Sequence, residues 1–126
     1  MRLLLDTQVL LWAIYQRLSP ARQERLRDRD NDVFFSAVTI AEIALKASLR
    51  RTDFPFEPRE VSEAARSSAF DELALTADQV KRLALLPWHH RDPFDRMLVA
   101  QAIEEGLRLI TADRALSAYT DLVEVI

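Results

Sequence analysis

Four carboxylates stand far apart along this sequence: Asp6, Glu42, Asp95 and Asp113. Gathered in one place, they would form a hard-oxygen site suited to Mg²⁺, with Mn²⁺ as an alternative. An ion held this way lowers the pKa of a bound water and stabilises in-line displacement at phosphorus. Glu42 most needs such an explanation. Its neighbours three and four residues away are Val38, Thr39, Leu45 and Lys46, with Leu49 a turn beyond, and the opposite side carries Ile40, Ile43, Ala44 and Ala47. This helix is apolar nearly all round, and burying a bare carboxylate costs several kcal/mol unless it is paired. Lys46, four residues on, is the simple partner, but such a pair is worth only ~0.3–0.5 kcal/mol when exposed. A metal ion is the other usual reason for a buried acid.

The remaining acids have a competing explanation. Asp6 directly follows Leu3-Leu4-Leu5, and Asp113 follows Leu109-Ile110-Thr111 by two residues. Ser36 and Thr111 put hydroxyls at the ends of the second and third apolar runs. Asp, Ser and Thr are preferred helix caps, and any one of these residues alone would be read as a cap. Asp92-Pro93-Phe94-Asp95 resembles a capping box with Asp in place of Glu. Asp95 also shares a helix side with Leu98, Val99 and Ala102, which turns it inward, so cap and function stand level there. His89 and His90 could be ligands or a base, but a histidine pair in a loop reads as structural and stays outside the catalytic set.

The elements that must position these groups alternate. Residues 3–5 read as a strand, and Asp6 or Thr7 caps a helix over 9–15. Ser19-Pro20 opens a helix to about Arg27. Asn31-Asp32 turns into a strand at 33–35, followed by a helix over 38–49. Phe54-Pro55-Phe56-Glu57-Pro58 breaks the pattern and begins a helix to about Ser67. A short strand falls within 70–75, and Thr76 caps a helix to Leu85. Residues 86–91 are a loop. A helix then starts at Asp92-Pro93 and stops at Gly106, the only glycine, in the C′ position. Strands follow at 107–110 and 123–126. Such alternation implies an α/β fold with a mostly parallel sheet covered on both faces, in which ligands bind beyond the carboxyl ends of the strands.

At 126 residues with no repeats or linker, one domain over 1–126 is expected. Nearly half the residues are apolar and 29% are charged, a soluble composition, and no apolar run could span a membrane. Without cysteine there is neither a disulfide framework nor a thiolate metal site. An acid at position 6 comes too early for a signal peptide, so a cytoplasmic protein is expected. The net charge of −3 runs against nucleic-acid binding, unless the acids cluster around metal. Arg22, Arg25, Arg27 and Arg29, and the later Arg50 and Arg51, read as solvated helix faces.

Taken in order, these segments resemble the PIN-domain family and, within it, the VapC-type toxins of bacterial toxin–antitoxin pairs. The resemblance runs through Leu-Leu-Leu-Asp6-Thr7-Gln8, Leu18-Ser19-Pro20, Ser36 to Glu42 and Lys46. Its most specific stretch is His90-Arg91-Asp92-Pro93-Phe94-Asp95-Arg96, and it closes with Leu-Ile-Thr111-Ala-Asp113 and Tyr119. It implies a PIN-like three-layer sandwich and a metal-dependent endoribonuclease. Asp6, Glu42, Asp95 and Asp113 would hold metal, Thr111 would support them by hydrogen bonding, and Asp92 would be a nearby or additional acid. Ser36 and Lys46 complete the supporting set. The implied partners are RNA as substrate, an antitoxin that occludes the site, and a second toxin chain in a homodimer, which the apolar helix surfaces also suggest. Two departures stand out. Gln8 replaces a frequent His, and Arg50 replaces a frequent Gly.

Two other readings use the same residues. A phospho-acceptor receiver domain also places acids at strand ends with a Thr and a Lys, but it wants adjacent acids after its first strand. Here Asp6 lies between Leu5 and Thr7. A PIN-fold binding module without activity would not need all four acids.

Overall fold

A computed structural model describes residues 1–49 and 53–126. Arg50 and Arg51, with the turn expected to differ at Arg50, lie outside the described residues. Five strands, β1 (Arg2–Leu5), β2 (Asp32–Ser36), β3 (Asp71–Leu73), β4 (Arg108–Thr111) and β5 (Val123–Val125), form one sheet in the order β3-β2-β1-β4-β5. All four pairings are parallel. This order separates the chain from the receiver type, whose strands run 2-1-3-4-5.

Leu3, Leu4 and Leu5 are wholly buried because β1 is the central strand and both of its faces are covered. Leu3 and Leu5 pack with Phe35, Val9, Leu10, Ile43, Val61 and Ala65. Leu4 points the other way, to Val38, Leu98, Val99, Leu109 and Leu116. The period-two alternation of a strand thus divides the core into two halves, and three layers result.

On the first face lie helices α1 (Thr7–Ile14), α2 (Pro20–Arg27), α3 (Ala37–Ser48) and α4 (Pro58–Ser67). α5 (Ala77–Lys81) and α6 (Pro93–Glu105) follow, with α6 covering the second face. Local chemistry sets their ends. Ser19 and Pro20 open α2, and Thr76 and Gln79 close a reciprocal capping box on α5. Gly106 ends α6 at φ 65°, a left-handed conformation that favours glycine.

Three expectations change. Asp32 belongs to β2 rather than to the turn before it. The helix from Thr76 is α5 for five residues and then tightens to a 3₁₀ segment, Arg82–Leu85. Helix α3 is not apolar against protein all round, because Leu45 is exposed, as is Leu49 at its C-cap. The arginines of α2 are partly engaged: Arg25 pairs with Glu124 of β5, and Arg27 donates to Gln16 at 3.1 Å. No helix among the described residues is long and apolar enough to cross a membrane.

Candidate active site

In this strand order the chain reverses direction across the sheet between β1 and β4. The carboxyl ends of those two strands therefore flank the crevice where ligands bind in open parallel sheets. Asp6 follows β1 and Asp113 follows β4, so both acids arrive there by topology alone. A cleft of about 740 Å³ opens at this point, lined by Asp6, Glu42, Asp92, Asp95 and Asp113 together with Thr7, Gln8, Leu11, Lys46, Phe54, Phe56, Ala112 and Arg114.

Capping and cleft chemistry prove compatible, because a carboxylate has two oxygens. Asp6 caps α1 through Oδ1, which accepts from the Val9 amide at 2.8 Å, and its Oδ2 accepts from the Thr111 hydroxyl. Asp113 caps the 3₁₀ segment Arg114–Ala118 through Oδ1, with the Ala115 amide at 2.9 Å, and turns Oδ2 toward His90. Thr111 also accepts from the Asp113 amide at 3.0 Å, so one hydroxyl ties the two acids together. Asp92 caps α6 by accepting from the amides of Phe94 at 2.8 Å and Asp95 at 3.2 Å. Asp95 does not reach back to complete a capping box. Its Oδ2 lies 3.6 Å from His90 Nε2.

Glu42 is 6% exposed and doubly held. The Thr7 hydroxyl donates to Oε1 at 2.7 Å, and Lys46 Nζ lies 2.6 Å from Oε2. The simple partner named from the sequence is therefore present, and Glu42 faces the cleft as well. Ser36 is not brought to the cleft. Its hydroxyl accepts from the Val38 amide at 2.9 Å and donates to Gln101 at 2.6 Å, within a buried network that continues to Gln79.

The gathered charge is visible in the acids themselves. Burial pushes the Asp6 carboxyl above its ordinary range, against the pull of hydrogen bonds from Thr111 and the amides of Val9 and Ala112. Asp95 is pushed up to about 7, first by burial and then by the nearby charge of Asp92, with His90 opposing and Asp6 and Glu42 adding. Crowded, part-buried carboxylates shift in this direction.

Sequence reasoning keeps His90 outside the site, yet its ring lies beside two of the cleft acids, Asp113 and Asp95. One atom each of His90, Asp95 and Asp113 lie within 4.8 Å of one another. Only the neighbouring acids in the His90-Arg91-Asp92-Pro93-Phe94-Asp95 stretch hinted at this.

Residues 3–122 match the PIN domain as a family. The chain is 32% identical over 123 residues to ribonuclease VapC22 of Mycobacterium tuberculosis, covering 92% of this chain and 90% of that protein. Among solved structures, the fold is shared with VapBC2 of Rickettsia felis bound to a fragment of its promoter DNA. There the TM-score is 0.74 at 16% identity, over 100% of this chain and 99% of the other. It is shared also with VapBC-5 of Mycobacterium tuberculosis, a member of the VapBC family of toxin–antitoxin systems, at TM-score 0.63 and 24% identity over 99% and 97% of the two chains. With a parallel sheet of matching architecture and acids at its switch point, the chain belongs to the PIN-domain family and, within it, to the VapC type.

Proposed function

We propose that this chain is the toxin of a toxin–antitoxin pair, an endoribonuclease that requires Mg²⁺ or Mn²⁺. The observation that carries the reading is the convergence of Asp6, Glu42, Asp92, Asp95 and Asp113 on one cleft at the switch point of the sheet. The ribonuclease name of the Mycobacterium relative supports it.

The residues present fit such a metal. The donors are carboxylate oxygens, the hard ligands that Mg²⁺ and Mn²⁺ prefer, gathered on one cleft. Asp6, Glu42, Asp95 and Asp113 would hold it, with Asp92 beside them. When bound, the ion supplies a water of lowered pKa and offsets charge at phosphorus. The protein does the rest by positioning. Thr111 fixes the Asp6 carboxylate, Thr7 and Lys46 fix Glu42, and the caps anchor Asp6, Asp92 and Asp113 to rigid helix starts. Arg114, which lines the cleft, would attract the flanking phosphates of RNA.

The partners follow from the same site. An antitoxin segment would inhibit by inserting a basic side chain, best an Arg, whose guanidinium pairs bidentately with carboxylates. Two toxin chains would form a homodimer, and the pair would act in the cytoplasm. The direct test incubates a mixed RNA pool with the purified chain in Mg²⁺, in Mn²⁺ and in EDTA. Cleavage is expected with either metal and abolished by EDTA and by Asp95→Asn. Intact RNA under every condition would overturn the reading.

A further inference from the structure

Helix α6 carries a buried arginine whose partners are neutral. Arg96 is 5% exposed. Its guanidinium donates to the carbonyls of Pro87 at 2.9 Å and of Leu83 and Leu86 at 3.4 Å, and to the phenol oxygen of Tyr119 at 3.1 Å. The Trp88 ring lies 3.8 Å from it. Five contacts from one planar fork thus fix the loop before α6. The Tyr119 oxygen extends the chain, accepting from the His90 backbone amide at 2.9 Å while its hydroxyl faces the His90 carbonyl at 3.5 Å. One phenol therefore holds both sides of His90.

The His90 ring is fixed in turn. Its Nδ1 accepts from the Asp92 amide at 3.0 Å, so in the neutral ring the proton must sit on Nε2. That proton points at Asp113 Oδ2, 2.8 Å away, with Asp95 Oδ2 next nearest. Binding metal through Nε2 would require the proton on Nδ1, where it would meet the Asp92 N–H head-on. His90 lies within ligand distance of two acids but in the wrong tautomer to be a ligand.

We infer that His90 is a hydrogen-bond donor that orients Asp113, and that Tyr119 and Arg96 are positioning residues acting on the acid cleft through it. Among the described residues the cleft then offers oxygen ligands to a cation, which favours Mg²⁺ and Mn²⁺ over ions that seek imidazole. This deepens the nuclease reading and rests on it for its consequence in catalysis, but the geometry of the ring can be tested alone.

The experiment uses the full chain labelled with ¹⁵N. In the metal-free protein the His90 ring is expected to show a proton on Nε2 and an unprotonated Nδ1, and added Mg²⁺ should leave this pattern in place. Tyr119→Phe removes the oxygen and keeps the ring, so it should fold. It is expected to broaden or shift the His90 signals, weaken Mg²⁺ binding and lower kcat for RNA roughly tenfold, about the worth of one lost hydrogen bond. KM for RNA should hardly move, because the phenol touches no substrate. His90→Gln, which keeps an N–H donor at reach, should cleave faster than His90→Leu.

A His90 ring protonated on Nδ1, or one whose Nε2 signal is displaced by direct coordination of Mg²⁺, would overturn the inference. So would Tyr119→Phe with unchanged His90 signals and unchanged metal affinity. If the original chain cleaves no RNA and ignores metal while the Nε2–H pattern depends on Tyr119 as expected, the nuclease reading fails and the positioning of His90 by Tyr119 stands.

Discussion

At the scale of single residues, Asp6 and Asp113 serve as caps and face the cleft, and asparagine separates the two roles. Asn caps a helix about as well as Asp. Asp6→Asn and Asp113→Asn should therefore keep the fold, as should Asp95→Asn, whose side chain caps nothing, while RNA cleavage collapses. Cleavage at the original rate would show that the acids only cap. Asp95 adds a pH signature. Its carboxyl is pushed up to about 7, so between its ordinary value near 3.8 and about 7 the folded state holds a proton that the unfolded state has lost. Metal-free stability should accordingly fall as pH rises through that window. Asp95→Asn should then be more stable than the original chain at pH 7 without metal, by roughly 1–4 kcal/mol, with the gain fading toward pH 4. Denaturant melts at pH 4, 5.5 and 7 measure it. The four acids were legible in the sequence because each combines a residue type with a place at a strand end or on a helix face. His90 and Tyr119 were not legible as a pair. They meet across 29 residues through a loop, and loops carry no periodicity to read.

At the scale of elements, helix starts hold the site, and α6 is the clearest case. Asp92 satisfies two amides at its first turn, one of them that of Asp95. Asp92→Ala should cost about 0.5–2 kcal/mol, whereas Asp92→Asn should cost little. Because the cap also sets where Asp95 projects, Asp92→Ala should lower cleavage further than Asp92→Asn does, as a comparison of their rates would show. Strands and helices were readable from Pro, Gly and cap residues next to apolar runs, and those signals are local. The 3₁₀ segments at 82–85 and 114–118 were not, since they depend on tertiary packing more than on composition. The place of Ser36, capping α3 and bonded to Gln101 away from the cleft, was not legible for a related reason. A hydroxyl at a strand end serves a site or a core equally well, and only its partner Gln101, 65 residues on, decides between them.

At the scale of the whole molecule, binding should be read as stability. Mg²⁺ or Mn²⁺ at a hundredfold excess over its dissociation constant should stabilise the fold by about 2.7 kcal/mol. The Asn variants should gain much less, which a thermal melt with and without metal would show. The exposed Leu45, Leu49, Leu85 and Trp88 leave apolar surface available for a second copy, and a two-fold dimer is the commonest use of such surface. Sedimentation at micromolar concentration is expected to give twice 14.5 kDa, and a single 14.5 kDa species would count against a dimer. The bond between Thr111 and Asp6 also bears on how the molecule comes into being. It joins residues 105 apart, across the β1–β4 pairing that closes the central sheet. A ribosome builds this chain from Asp6 toward Thr111, so a growing copy carries its first acid long before the hydroxyl that fixes it. On the proposed function, a copy halted before Thr111 is expected not to cleave RNA.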